Sequence, residues 1–238
     1  MAIIAKQAYF ISPPIVLDGL VVLLDAANQD SYASGSSMWY NLPNRSYSGS
    51  LYNTPTYNAG NIKYLNFSST ALQSGAVSTL GNLPTWTVEV FVQFTADYSS
   101  KIASIVTGQY DGGSNVNFTI GTNNAPTNYN IAVGFFDGAW HSTTGVQYDL
   151  NTWFHIVGTY DGNTIKQFTN STLVDSLNYV GTPASGGEVY INRRWDSPVL
   201  TGNLLDTNIA LIKIYNRALT NAEILQNYNA HKARFGLL

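Results

Sequence analysis

One short stretch of the chain places residues at a spacing where sugar chemistry could occur. In WTVEVFVQF, residues 86–94, Glu89, Phe91 and Gln93 fall at alternate positions. Side chains of an extended strand alternate between its two faces, so these three share one face. Cleaving a glycosidic bond takes two carboxylates about the same sugar. One protonates the leaving oxygen, and the other attacks or activates water. Glu89 supplies one acid, but Phe91 and Gln93 stand where the second would be needed. The row therefore reads as a hydrogen-bonded or solvated strand face, and no catalytic residue is assigned.

The other reactive side chains give equally plain readings. His155 lies in WFHIVGTYD, where Trp153, His155 and Val157 share one face and Phe154, Ile156 and Tyr160 the other, which reads as a packed structural histidine. His141 and His231 have no neighbouring His or Cys in sequence, no H-x-x-x-H spacing occurs, and the chain has no cysteine. No nucleophile elbow accompanies the three histidines. Binding without cleavage needs aromatic platforms and planar hydrogen-bonding groups instead. FFDGAWHS (135–142) and NRRWDS (192–197) set Trp140 with His141, and Trp195 with Arg194, in turn-like surroundings. These four are the candidate glycan or partner contacts. Sixteen Tyr and five Trp also suit contacts with other proteins.

The elements that must position these groups are strands. Segments rich in Val, Ile, Tyr, Phe, Trp and Thr recur at 16–25, 62–67, 86–94, 101–108, 116–120, 129–136, 153–160, 164–169, 188–192 and 208–215. YDGN at 160–163 is an Asp-Gly hairpin signal, and YDGG at 110–113 and FDGA at 136–139 are similar turns. Many short strands with such turns predict an all-β, two-sheet antiparallel jelly-roll sandwich. One short helix is expected near the carboxyl end, where Thr220 and Glu223 form a capping box and Ile224, Leu225 and Tyr228 an apolar stripe. Residues 26–50 and 193–206 read as long loops.

Composition narrows the class further. Charged residues make up 11% of the 238-residue chain, less than half the usual share of roughly 25%, and 25 Asn help fill the gap. A net charge of −3 leaves no basic footprint for nucleic acid. LVVLL at 20–24 is too short to span a bilayer, so no membrane insertion is expected. The opening MAIIAKQAYFISPPIVL is apolar, but Lys6 and Gln7 interrupt it and no small-residue cleavage site follows, so it is not read as a signal peptide. Residues 1–15 instead form an extended arm that Pro13 and Pro14 favour. Residues 16–238 form a single domain. Ile3, Ile4, Tyr9, Phe10, Ile11, Pro13 and Pro14 are the candidate anchoring residues.

The order of segments resembles a known family. DGLVVLLDAANQDSY at 18–32, WYNLPNRSYSGSL at 39–51, YLNFSSTAL at 64–72, WTVEVFVQF, WFHIVGTYDGNTIKQFTNSTLV at 153–174 and IALIKIYNRALTNAEILQNYN at 209–229 together resemble concanavalin A-like jelly rolls of the laminin-G-like type. The wording LLDAANQDSY…WYNL…IYNRALTNAEILQNYN, with KARFGLL at its end, is similar to domains of tailed-bacteriophage structural proteins. That resemblance implies a virion surface role: capsid decoration, head or neck fibres, or tail adhesion. It implies as partners the major capsid protein or another virion protein, further copies of the chain in a homo-oligomer such as a trimer, and, on a fibre, a host surface glycan. Laminin-G and lectin relatives often hold calcium through loop Asp residues. Asp25, Asp30, Asp111, Asp196 and Asp206 are scattered here, and Ala210 and Leu211 stand where many relatives carry an acidic pair. No cofactor is expected, and calcium is the one ion the resemblance leaves open.

Overall fold

The computed structural model describes residues 14–108, 116–122, 130–183, 187–194 and 204–238. In chain order the strands are β1 (Leu20–Asp25), β2 (Met38–Trp39), β3 (Gly49–Tyr52), β4 (Thr56–Asn58), β5 (Tyr64–Phe67), β6 (Ser74–Val77), β7 (Trp86–Phe94) and β8 (Ser104–Gly108). There follow β9 (Val116–Thr122), β10 (Ile131–Phe136), β11 (Trp140–Ser142), β12 (Trp153–Tyr160), β13 (Thr164–Thr169), β14 (Thr172–Asn178), β15 (Val189–Ile191) and β16 (Thr207–Tyr215). A helix, α1 (Asn221–His231), and a 3-10 turn, Lys232–Phe235, close the chain.

The strands form two antiparallel sheets. The front sheet runs β14-β13-β12-β7-β16-β5-β4, with β1 also pairing with β16. The back sheet runs β11-β10-β9-β8-β15-β6-β3-β2. Trp86, Val88, Val90, Val92 and Phe94 of β7 meet Phe118, Ile120, Val133 and Phe135 of the back sheet in the main core. The expected sandwich is therefore present. At the Asp161–Asn163 turn between β12 and β13, Asp161 Oδ1 accepts from the amides of Asn163 and Thr164, while Gly162 takes a φ of +96°. The β13–β14 turn uses Asn170 and Ser171 at positive φ. That pair lacks the Gly that marks such turns in a sequence, so the residues alone carry no signal separating β14 from β13. Residues 26–50, read as a loop, contain the short strands β2 and the start of β3. GSLY and SGAV carry small residues that give weak strand signals.

A third layer covers the outer face of the front sheet. Ile224 joins Val16, Val157, Phe168, Tyr215 and Leu219 in one apolar cluster, and Phe235 joins Phe91, Trp153, Ala210 and Leu211 in another. Strand β16 is consequently buried on both faces along its whole length, which is why TNIALIKIY reads as nearly continuous apolar sequence. The capping box is present: Thr220 Oγ1 accepts from the Glu223 amide at 3.3 Å, and Glu223 Oε2 accepts from the Thr220 amide at 2.8 Å. Arg217 binds the same carboxylate through both terminal nitrogens at 3.0 and 2.6 Å. Only two members of the expected helix stripe face the sheet. Ile224 and Tyr228 are buried, whereas Leu225 is 47% exposed, because a residue directly after Ile224 turns about 100° away from the sheet.

Candidate functional site

The face carrying Glu89 is sealed. Register sets Lys213 of β16 directly across from Glu89 of β7, and both side chains are fully buried. Lys213 Nζ lies 2.9 Å from Glu89 Oε2, and Asn227 Nδ2 of α1 donates to Oε1 at 2.7 Å. His155 Nε2 lies 3.4 Å from Oε2, with the ring stacked on Phe91 at 4.5 Å. Burial alone would raise the Glu89 carboxyl, but the Lys213 charge and the His155 contact outweigh it and hold it at about 2. Burial pushes His155 down, against the pull of Glu89. His231 at the end of α1 packs edge-on to Phe91 at 5.6 Å, and burial followed by the Lys213 charge holds it at about 3.

This arrangement is a buried ion pair with a helix closed over it. A carboxylate held near 2 and shut off from water is not placed to donate a proton to a substrate at neutral pH. Sequence reasoning placed Glu89, Phe91 and Gln93 on one face of one strand and Trp153, His155 and Val157 on one face of another. The register of β7 with β12 brings the two rows together, and Lys213 and Asn227 were not identified as partners. A signal was present: β7 and β16 each carry one charge in the middle of an apolar run, and the two signs are opposite.

The same cluster holds the first described residues of the chain. Asn227 Oδ1 accepts from the Val16 amide at 2.8 Å, and Tyr215 Oη donates to the Val16 carbonyl at 3.1 Å. Gln226 Nε2 donates to the Pro14 carbonyl at 2.7 Å. Pro14 is itself exposed, and Ile3, Ile4, Tyr9, Phe10, Ile11 and Pro13 lie outside the described residues.

The candidate contact residues do not form one group. Trp140 is 44% exposed on β11, with its ring edge-on to Phe136 at 5.4 Å. His141 stacks on Tyr179 at 3.4 Å and lies 3.1 Å from Asp137 Oδ1. Arg194 follows β15, four strand positions across the back sheet from β11, or about 19 Å at the usual strand spacing. Trp195 lies outside the described residues. Of the acidic loop residues, Asp25 binds Arg234 at 2.7 Å and Asp206 binds Lys101 at 2.8 Å. Asp111 and Asp196 are outside the described residues, and among the described ones no group of three His, Asp or Glu is placed to hold a metal ion.

Comparison with known proteins matches these features to a broad family. Residues 60–225, more than half of the chain, match the family model described as the concanavalin A-like lectin/glucanases superfamily. A search of curated protein sequences gave no match. Among solved structures, domain 4 of the extracellular arabinanase AbnA from Geobacillus stearothermophilus, solved with arabinotriose, superposes with a TM-score of 0.67 at 14% identity over 88% of this chain and 98% of that one. The binding domain of Paraclostridial Mosquitocidal Protein 1 gives a TM-score of 0.69 at 13% identity, covering 92% of this chain and 55% of that one. Trypanosoma rangeli sialidase gives 0.62 at 15% identity, covering 94% of this chain and 36% of that one. The chain thus spans all but 2% of the arabinanase domain, about half of the toxin domain and about a third of the sialidase. At these identities the likeness is one of fold.

Proposed function

The chain belongs to the concanavalin A-like lectin/glucanases superfamily, and from that premise we propose that it is a non-enzymatic structural protein of a bacteriophage particle. In this reading residues 1–15 anchor it to the major capsid protein or a neighbouring copy, and the sandwich decorates or cements the virion surface. The observation that carries the reading is the root of the arm. Hydrogen bonds at Pro14 and Val16 tie it to α1 and β16, so a pull on the arm is borne by the buried centre of the front sheet. The sealed Glu89 face supports a role without catalysis. The similarity of LLDAANQDSY…WYNL…IYNRALTNAEILQNYN to phage structural domains supports the placing on a virion.

The arm supplies apolar surface worth about 25 cal/mol per Å² when buried. Each residue ordered costs about 1–2 kcal/mol, so many copies in a symmetric shell make such anchoring effective. Deleting residues 1–13 should leave a folded sandwich that no longer sediments with particles. Full occupancy by the truncated chain would refute the anchoring role.

A second reading, an adhesin on a fibre recognising host surface glycans, is favoured by the exposed Trp140 beside the stacked His141 and Tyr179. It predicts that Trp140→Ala abolishes binding on a glycan array.

A further inference from the structure

A sheet edge is where one chain can add to another, because an outermost strand leaves one side of its backbone unpaired. The front sheet ends in β14 and β4, and the back sheet in β11 and β2. Strands β2, β4 and β11 have only two or three residues each. Strand β1, which runs beside β16, is covered on its other side by Asn41 and Leu42, both hydrogen-bonded to the Leu23 backbone. Strand β14 differs. It has seven residues, and among the described residues no strand lies along its outer side.

That edge is apolar where it is open. Leu173 is 46% exposed and Val174 40%, and Val180, just past the strand, is 73% exposed. Val174 is the extra residue of a bulge, since Gln167 pairs with Asp175 while Phe168 pairs with Leu173. The Ser176 amide already donates to Asp175 Oδ1 at 2.7 Å, which closes that half of the edge. Among the described residues no such side-chain bond guards Thr172, Leu173 or Val174. An edge that shows large apolar side chains to water invites a further segment to dock.

The amino-terminal arm starts nearby and has the chemistry to fill this edge. Leu173 is the cross-strand neighbour of Phe168, and Phe168 shares one apolar cluster with Val16. Residues 1–13, MAIIAKQAYFISP, lie outside the described residues. Extended, that length of chain reaches about 40 Å. Tyr9, Phe10 and Ile11 favour strands. Pro13 and Pro14 lack the amide hydrogen that a ladder needs, and each holds the residue before it extended. With the Pro14 carbonyl held by Gln226, such a root carries the arm onward, not back over its own sheet. Lys6 is the only charged side chain in 1–13 and Asp175 the only one in 172–180, so no like charges oppose docking.

We propose that residues 8–12 of one copy dock along β14 of another, with their apolar side chains over Leu173 and Val174. This docking rests on the anchoring reading above and makes a second copy of this chain the arm's receptor. Tyr9 and Phe10 of one arm bury about 300–500 Å². When two copies exchange arms that area doubles, and with the receiving edges it reaches the roughly 1,200 Å² at which stable interfaces begin. Exchange around a symmetry axis closes a dimer or a small ring and leaves no open β14 edge.

The test uses the full chain and light scattering at micromolar concentration. The native chain should have the mass of two or more copies, and the chain without residues 1–13 the mass of one. Leu173→Lys with Val174→Lys should weaken association about tenfold or more. All three should keep the same circular dichroism spectrum, since the changed residues are exposed or outside the sandwich. The chain has no cysteine, so introduced ones report a single contact. Ile11→Cys and Val174→Cys chains, one carrying a size tag, should form the mixed disulfide-linked pair well ahead of either like pair. A native chain of single-copy mass overturns the docking, as does an oligomer that survives both the truncation and the lysines. A disulfide formed within one chain in the double variant at high dilution overturns exchange between copies. Sedimentation with particles decides the anchoring reading separately. A single-copy chain that still needs residues 1–13 to bind particles ends the docking and leaves anchoring to the capsid protein.

Discussion

Replacing Glu89 by Gln should destabilise the fold far more than a surface change would. The carboxyl sits at about 2 in the fold against an ordinary value of 4.5. At roughly 1.4 kcal/mol per pH unit, that difference contributes about 3 kcal/mol at neutral pH. Independently, removing one member of a buried ion pair costs about 3–5 kcal/mol, because the other charge stays buried without a partner. Lys213 is that remaining charge, with no exposed surface to relax into. Urea unfolding at pH 7 should therefore show Glu89→Gln less stable by about 3–5 kcal/mol at an unchanged urea dependence. The melting point should fall by roughly 10 °C for a chain of this size.

The sign with pH follows from the lowered carboxyl. Its contribution is fully present above 4.5 and fades as pH falls toward 2, so the acid limb below 4.5 should be shallower in Glu89→Gln than in the native chain. The double change Glu89→Leu with Lys213→Met removes both charges, and Asn227 retains the Tyr215 hydroxyl as a partner. It should recover at least half of the loss. If Glu89→Gln unfolds within 1 kcal/mol of the native chain, the buried pair does not exist as described and the sealed-face argument fails with it.

Other expectations concern the cap and the arm. His231, held at about 3 against 6.5, stays neutral in the fold while the unfolded chain takes up its proton. Its share of the stability is thus fully present above 6.5 and should be about 2 kcal/mol lower at pH 5 than at pH 8, beside a share of the same sign from His155. His231→Leu should make the slope between the two pH values shallower by about 2 kcal/mol, as read by urea titration. Thr220→Ala removes the cap of α1 and should cost about 1 kcal/mol by thermal melting. Truncation before Pro14 should leave the melting point unchanged, whereas truncation through Val16 should cost about 3 kcal/mol from three lost hydrogen bonds and one buried side chain.

How far the residues alone revealed this molecule depends on which interactions are local. Strands β7 and β12 were legible because each has a complete apolar face, so alternation alone sets which side chains are buried. The capping box of α1 was legible because its two partners are three residues apart. Lys213 was not, since its burial depends on β16 pairing in one register with β7 across 124 positions of sequence. The hydrogen-bonded amides of Asn66, Asn208 and Gln93 on the outer face of the front sheet were hidden for the same reason. Asn66, Asn208 and Gln93 are ordinary polar residues on three separate strands until register sets them in line. Leu225 misled because the helix stripe was read without knowing which side the sheet would occupy.

The third layer also constrains how the chain is made. Strand β1, near residue 20, is closed by β16, near residue 215, and Leu219, Ile224 and Phe235, which cover much of the outer face, follow it. During synthesis Phe91, Trp153, Val157 and Phe168 therefore emerge long before these later residues arrive to cover them, and Glu89 waits in water for Lys213. Pairing over such sequence distances is slow, and unpaired strand edges invite association between nascent chains. A chain released without residues 216–238 should remain in this sticky condition, so the carboxyl-terminal segment decides when the newly made protein stops being prone to aggregate.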